Sequence, residues 1–266
     1  MQYLEFFLYG LIQGLTEFIP ISSTAHLKVI SNLLGIEDPG SSLSAIIQFG
    51  SVLAIVWYFR RDFFILKNKH SRKNLYNFFN SKLSKSIFIG SLPIVFIGGI
   101  IKIFIPNFFE SILRSNLSIA IVSLIMAIYM YISDNAKKNF ININNHNYSD
   151  SLLIGLSQAF AIIPGVSRSG ITISTALFSG WERKDAAKFS FLLGLPAISL
   201  AAIVEFSSSI NELSRFSFYP LIFGLVTTFF SSLLAIDFLI KFLTFNDMKL
   251  FIFYRIIFGI VILLNL

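Results

Sequence analysis

Three polar side chains that are costly to place in a membrane lie inside otherwise apolar sequence: Glu17, His26 and Arg168. In hydrocarbon, ionisable groups of this kind are normally retained for an ion pathway, a polar ligand or a catalytic site. Each lies close to a proline and to a cluster of small polar residues, which predicts a break in the local helix. These two breaks are therefore the first candidates for a functional site.

The break around Arg168 has the composition of an anion site. Pro164 and Gly165 end an apolar run, and the sequence Ser-Arg-Ser-Gly then leads into a second run. A helix that starts there directs its first backbone N–H groups to the same place as the guanidinium, which suits phosphate or carboxylate. The ordinary alternative is a polar loop at the membrane surface with a snorkelling arginine. This segment alone leaves both readings open.

The break around Glu17 offers acid–base groups. Gln13 and Glu17 are four residues apart, so on a helix both face the same way. After the following proline, Ser22 or Ser23 is expected to cap a second helix, on which Ser23 and His26 share one face. A hydroxyl and an imidazole at this spacing could form a nucleophile–base pair or bind one phosphate. The ordinary alternative is an N-cap serine and a hydrogen-bonded packing histidine.

The composition is that of an integral membrane protein. Of 266 residues, 55% are hydrophobic and 13% charged, and the mean hydropathy is +0.75, far from soluble averages. The net charge is +7, but eight basic residues lie in Arg60–Lys85 beside membrane-length apolar runs. That charge indicates topology and not nucleic-acid binding. The chain has no cysteine, which excludes disulfide and thiolate chemistry.

The apolar runs predict an all-α polytopic fold. Two apolar regions, Met1–Leu34 and Ser151–Gly180, are broken near the middle. A broken backbone at membrane depth must be covered by protein or line a cavity, so both regions are predicted to be re-entrant helix pairs. Six other runs are long enough for transmembrane helices across about 30 Å of hydrocarbon: Leu43–Phe59, Ser86–Ile105, Asn116–Ile132, Ala187–Phe206, Tyr219–Ile240 and Leu250–Leu266.

The two broken regions resemble each other. Gly10–Gln13 aligns with Gly155–Gln158, and Ser22 then falls on Ser167 without a gap. Each region is followed by three predicted spans, which divides a single membrane domain, residues 1–266, into repeats of about 1–135 and 148–266. An odd number of spans in each half makes the repeats inverted, so their discontinuous helices are expected to meet near the midplane.

Basic residues predict the orientation. The loop Arg60–Lys85 is expected to be cytoplasmic, and two further spans bring Lys137 and Lys138 to the same side. The count of spans then places Lys241 and Lys249 on the cytoplasmic side as well, and both termini on the outside. The Asn-rich segment Asn139–Asn147 is predicted to be a flexible linker between the repeats.

The motifs of both breaks resemble the undecaprenyl-diphosphatase family, the bacterial bacitracin-resistance membrane phosphatases. The resemblance covers Gln13, Glu17 and the Pro-Ile-Ser-Ser-Thr-Ala-His that ends at His26, and the Pro-Gly-Val-Ser-Arg-Ser-Gly-Ile-Thr that begins at Pro164. It extends over nearly the whole chain, although many members have Glu at the position of Gln13. It implies hydrolysis of undecaprenyl diphosphate to the monophosphate, which recycles the lipid carrier of peptidoglycan synthesis and confers bacitracin resistance. The implied location is the inner membrane, with the site open to the periplasm.

The resemblance also implies roles for the site residues. Arg168 would neutralise charge on the transferred phosphoryl group, and Glu17 with Gln13 would bind a divalent cation, Mg²⁺ or Ca²⁺. His26 would be general base or acid, and Ser23 nucleophile or phosphate ligand. The other expected substrate ligands are Gln13, Ser22, Ser167, Ser169, Gly170 and Thr172.

Some alternatives stay open from the sequence. A covalent phospho-enzyme and direct attack by water are both compatible with these residues. The protein could be a monomer or a homodimer. A secondary transporter or flippase for an anionic lipid is the rival function, because such carriers are also built from inverted repeats with broken helices.

Overall fold

The computed structural model describes residues 2–35, 40–63, 81–104, 113–136, 140–208 and 217–265. Over these residues the fold is all-α, with one isolated β-bridge between Ile141 and Trp181. The helices are α1 Gln2–Phe18, α2 Ser23–Leu34, α3 Gly40–Tyr58, α4 Arg60–Phe63, α5 Lys82–Phe104, α6 Asn116–Asp134, α7 Tyr148–Gln158, the 3₁₀ helix η1 Ala159–Ile162, α8 Arg168–Phe178, α9 Arg183–Ser208, α10 Phe218–Phe245 and α11 Lys249–Leu264.

Over its described residues, each of the six apolar runs overlaps a helix, namely α3, α5, α6, α9, α10 and α11. Within the described residues four of these, α5, α6, α9 and α10, are long and apolar enough to cross a membrane. The chain is therefore a multi-pass membrane protein. The apolar part of α3, Ile46–Tyr58, is shorter. Helix α11 has 16 residues and a rise of about 24 Å, less than the hydrocarbon thickness.

The two broken regions both fold as a helix, a turn and a second helix. Ser22 precedes α2 with φ 77°, and Ser167 precedes α8 with φ 69°. Among the described residues these are the two positions other than glycine with positive φ, which side chains rarely adopt and which the surrounding structure must hold in place. The same unusual turn thus occurs at the two positions that the sequence aligns.

Glycines allow each broken region to pack closely on a helix from the other half of the chain. Helix α1 packs along α10, where a Cβ at Gly10 would lie 2.5 Å from the carbonyl oxygen of Gly224. Helix α7 packs along α5, where a Cβ at Gly155 would lie 2.1 Å from the carbonyl oxygen of Gly90. Either substitution would push the two helices apart, so these contacts fix where the breaks lie.

A partly buried ion pair joins the ends of several helices. Asp134, at the end of α6, accepts from Nε of Arg183 at 2.6 Å and from the backbone N–H of Met248 at 3.0 Å. The end of α6 and the starts of α9 and α11 therefore meet. Much of the predicted cytoplasmic loop, residues 64–80, and also Lys137 and Lys138 lie outside the described residues.

The segment predicted to be a flexible linker is anchored to the helices at His146, within its described part, residues 140–147. His146 is fully buried, and its Nε2 lies 2.7 Å from the hydroxyl of Ser86. Its ring also lies 5.2 Å from that of Trp181. Because these contacts are long-range, composition alone could not reveal them.

Candidate active site

Glu17 lies at the centre of the polar cluster between the two breaks. One carboxylate oxygen accepts from Nη2 of Arg168 at 3.1 Å. The other accepts from the hydroxyl of Ser23 at 2.7 Å and from the amide of Gln13 at 3.0 Å. The structure thus brings together four of the residues that the sequence proposed, from α1, α2 and α8.

Arg168 is fixed by contacts on several sides. Its Nη1 donates to the carbonyl oxygen of Ser190 at 3.2 Å, and its Cζ lies 6.0 Å from the ring centroid of Phe18. The guanidinium lies against Gly194, where a Cβ would be 2.2 Å from Nη1. Its Nε is buried and has no hydrogen-bond partner among the described residues. One donor of the guanidinium is therefore unpaired within the described residues.

The hydroxyls of α8 divide into two groups. Ser167 lines the pocket and accepts from the backbone N–H of Gly170 at 3.2 Å. Ser169 and Thr172 are fully buried. Ser169 donates to backbone carbonyls at the end of α1, and Thr172 lies 2.6 Å from the hydroxyl of Ser190. Ser169 and Thr172 therefore anchor α8 against its neighbours and do not face the pocket.

A small pocket of about 110 Å³ lies between the starts of α2 and α8. The N-termini of two helices face it, so their dipoles and first-turn N–H groups add positive potential. The one carboxylate among its lining residues is already paired with Arg168. The pocket is therefore suited to an anion. Its polar lining consists of Glu17, Ser22, Ser23, Thr24, Gln48, Ser167 and Arg168.

His26 is not among the residues that line this pocket, and it does not contact Ser23 through either ring nitrogen. Its Nδ1 is 2.7 Å from the carbonyl oxygen of Ser22, and its Nε2 is 2.6 Å from the hydroxyl of Tyr254. A carbonyl can only accept, so Nδ1 carries the hydrogen and Nε2 of the neutral ring accepts from Tyr254. Phe258 stacks on the ring at 4.3 Å. The structure thus does not form the predicted Ser23–His26 pair.

Arg255 is a site-supporting residue that the sequence reasoning missed. It is fully buried and donates to the backbone carbonyls of Pro20 at 3.2 Å, Val166 at 3.3 Å and Gly165. Among the described residues it forms no salt bridge. One guanidinium on α11 therefore ties the turn of the first break to the turn of the second. The sequence did contain a sign of this role, because Arg255 is a charged residue inside the last predicted apolar run.

Comparisons with known proteins agree with these motifs. Residues 6–261 match the family described as bacitracin resistance protein BacA. A relative named undecaprenyl-diphosphatase from Prochlorococcus marinus (strain MIT 9215) is 67% identical over 266 residues, covering 100% of both chains. Another of that name, from strain MIT 9312, is 69% identical over 265 residues, 100% of this chain and 99% of the relative. A more distant one, from strain MIT 9313, is 46% identical over 240 residues, 88% of this chain and 79% of the relative.

Proposed function

The chain belongs to the bacitracin resistance protein BacA family, and on that basis we propose that it hydrolyses undecaprenyl diphosphate to undecaprenyl phosphate and inorganic phosphate. The relatives are named for this activity. The observation that carries the proposal is the pocket in which Arg168, Glu17 and Ser23 meet between two helix N-termini. The reaction would return the lipid carrier to peptidoglycan synthesis and give resistance to bacitracin.

The diphosphate would be held mainly by Arg168 and by the helix starts. The guanidinium of Arg168, which lines the pocket, and the first-turn amides of α2 and α8 offer donors to phosphate oxygens. Ser22 and Ser167 line the same wall. Because these donors are fixed before substrate binds, they can stabilise the charge that develops on the transferred group without reorganisation.

Ser23 is the nucleophile that the geometry supports, with Glu17 as its base. The hydroxyl of Ser23 already donates to Glu17 at 2.7 Å. In the proposed step its oxygen attacks the terminal phosphorus, the proton passes to Glu17, and the bond from that phosphorus to the bridging oxygen breaks, which leaves undecaprenyl phosphate. Water then hydrolyses the phosphoserine. Full activity in Ser23→Ala would instead support direct attack by water.

His26 fits a positioning role better than proton transfer. Both of its ring nitrogens are occupied, one by the backbone of Ser22 and one by Tyr254. The bond to Ser22 holds a residue whose backbone has positive φ. His26 would therefore act by keeping the turn before α2 in the conformation that aims Ser23 at Glu17.

We also propose that a divalent cation, Mg²⁺ or Ca²⁺, takes part, held by Glu17 together with the substrate phosphates. Glu17 supplies one hard carboxylate at the pocket, and Mg²⁺ is commonly bound by one or two carboxylates together with substrate phosphates. Gln13 donates to that carboxylate and would orient it. When bound, the cation would neutralise charge on the diphosphate oxygens.

We further propose six membrane spans and two re-entrant pairs in an inverted repeat within the inner membrane, with the pocket open to the periplasm. The shared positive φ of Ser22 and Ser167 supports the repeat, as do the equivalent glycine crossings of α1 on α10 and α7 on α5.

Single cysteines placed in this cysteine-free chain at the exposed Asn144 and Asn265 test the orientation. An impermeant reagent should label the second and not the first, and the reverse result would invert the topology.

Arg168→Lys tests the function, since it keeps the charge but loses the planar fork of donors. Phosphate release from undecaprenyl diphosphate in detergent should fall by on the order of 10²–10³ in kcat. Arg183→Lys is the matched control, because Arg183 also pairs with a buried carboxylate, that of Asp134, away from the pocket. An Arg168→Lys protein that melts normally and keeps the wild-type rate would contradict the proposal. A wild-type protein that binds the lipid but releases no phosphate would support the transporter alternative.

A further inference from the structure

A second cavity, of about 430 Å³, lies between α5 and α9 and is lined only by apolar residues and glycines. Gly98 and Gly99 form part of its wall on α5, and Ala197 and Ala201 form part of its wall on α9. These small residues leave the space open. A Cβ at Gly99 would meet nothing within 4 Å, and one at Gly98 would meet Ile162 at 3.8 Å. We refer to this cavity as the α5–α9 groove.

The α5–α9 groove and the polar pocket share one wall. Ile162 of η1 lines the groove, while its neighbours Ala161 and Ile163 line the pocket beside Arg168. Helix η1 contacts both α5 and α8. A single short turn of chain therefore separates an apolar surface from the site of the phosphate chemistry.

We propose that the α5–α9 groove binds the part of the polyprenyl tail that adjoins the diphosphate. The inference rests on the proposed function, because it takes a polyprenyl diphosphate as the substrate. Such a molecule has an anionic head and a long apolar chain joined directly to it. With the head beside Arg168, the chain needs an apolar surface that begins at the pocket, and the groove behind Ile162 provides one. A bilayer phospholipid, whose head group is a phosphodiester without a terminal phosphoryl group, is the competing occupant that the crosslinking experiment distinguishes.

Filling the groove from either side should weaken binding of the long-chain substrate alone. Gly99→Phe fills the groove from α5, and Ala201→Phe fills it from α9. Ile100→Phe is the control, because it adds the same bulk to α5 at a residue that is 57% exposed and lies outside the groove. The KM for undecaprenyl diphosphate should rise by roughly tenfold or more in the two groove variants, the loss expected for a few displaced methylene groups. The kcat should change little, because the tail contributes uniform binding. Ile100→Phe should match the wild type.

Methyl diphosphate, which carries the diphosphate head and no isoprene unit, separates the groove from the catalytic pocket. Its kcat/KM should stay within about twofold of wild type in both groove variants. An equal loss with both substrates would show that the variants distort the pocket, and an unchanged KM for undecaprenyl diphosphate would show that the tail does not use the groove. Either result overturns the inference. If the wild-type protein hydrolysed neither substrate, the proposed function would be overturned instead.

Photocrosslinking gives a readout that does not depend on turnover. A polyprenyl diphosphate with a photoreactive group on the isoprene next to the diphosphate should crosslink to the wall formed by Gly98, Gly99 and Ala201. Undecaprenyl diphosphate should compete, and phosphatidylglycerol should not. Crosslinks confined to other helices, or competition by phosphatidylglycerol at equal strength, would contradict the assignment and leave the groove to bilayer lipid.

Discussion

Gly194→Ala is a small change that should disable the site without unfolding the protein. Gly194 lies on α9 directly beside the guanidinium of Arg168. A Cβ there would lie 2.2 Å from Nη1, 2.4 Å from Cζ and 2.9 Å from Nε. An ordinary contact between such atoms is about 3.5 Å or longer. The guanidinium would therefore have to move by more than about 1 Å, which is enough to break its 3.1 Å bond to Glu17.

The size of the effect follows from this displacement. A misplacement of about 1 Å in a catalytic group can cost on the order of 10² in rate, which is about 2.7 kcal/mol of transition-state stabilisation. The fold should tolerate the change, because the atoms that must move are the end of one flexible side chain. The greater helix propensity of alanine offers about 0.5–1 kcal/mol in compensation. Loss of activity with little loss of stability is therefore the expected signature.

The assay measures phosphate release and thermal unfolding of the same purified sample. Gly259→Ala is the control, because a Cβ there would press on the side chain of Leu124 at 3.0 Å, and Gly259 does not contact Arg168. It should keep activity within a few-fold of wild type. If Gly194→Ala hydrolysed undecaprenyl diphosphate as fast as the control, the position of Arg168 would not set the rate, and the reasoning would be refuted.

Three further predictions concern the cation, the turns and the linker. Excess chelator should abolish phosphate release, and added Mg²⁺ or Ca²⁺ should restore it; full activity in chelator would remove the cation from the proposal. Arg255→Gln should lower the free energy of unfolding by about 2–4 kcal/mol, because the carbonyls of Pro20, Gly165 and Val166 lose a buried donor; denaturant titration that shows no change would contradict this. Burial lowers the pKa of His146 below its ordinary value of 6.5, so its stabilising contribution is complete above that pH and is lost as the pH falls through the lowered pKa. The melting temperature should decline less on acidification in His146→Gln than in wild type, and equal declines would show that His146 is not responsible.

The helices and the two breaks could be predicted from local sequence. Membrane-length apolar runs matched helices because hydrophobic length and helix formation are coupled in a membrane protein. The contact between Gln13 and Glu17 could also be predicted, since a spacing of four on a helix fixes which side chains are neighbours. The inverted arrangement and the number of spans stay predictions. Relating the two breaks needed the internal alignment of Ser22 with Ser167.

The sequence by itself determined which polar groups the membrane must accommodate: Glu17, His26 and Arg168. Only the tertiary structure decided what each one contacts. Arg168 pairs with a carboxylate 151 positions away, and His26 bonds to Tyr254, 228 positions away, instead of to Ser23 on its own helix. The physical reason is that helical spacing aligns side chains along one helix, whereas contacts between helices depend on how closely the backbones approach. Here glycines such as Gly10 and Gly155 decide that distance.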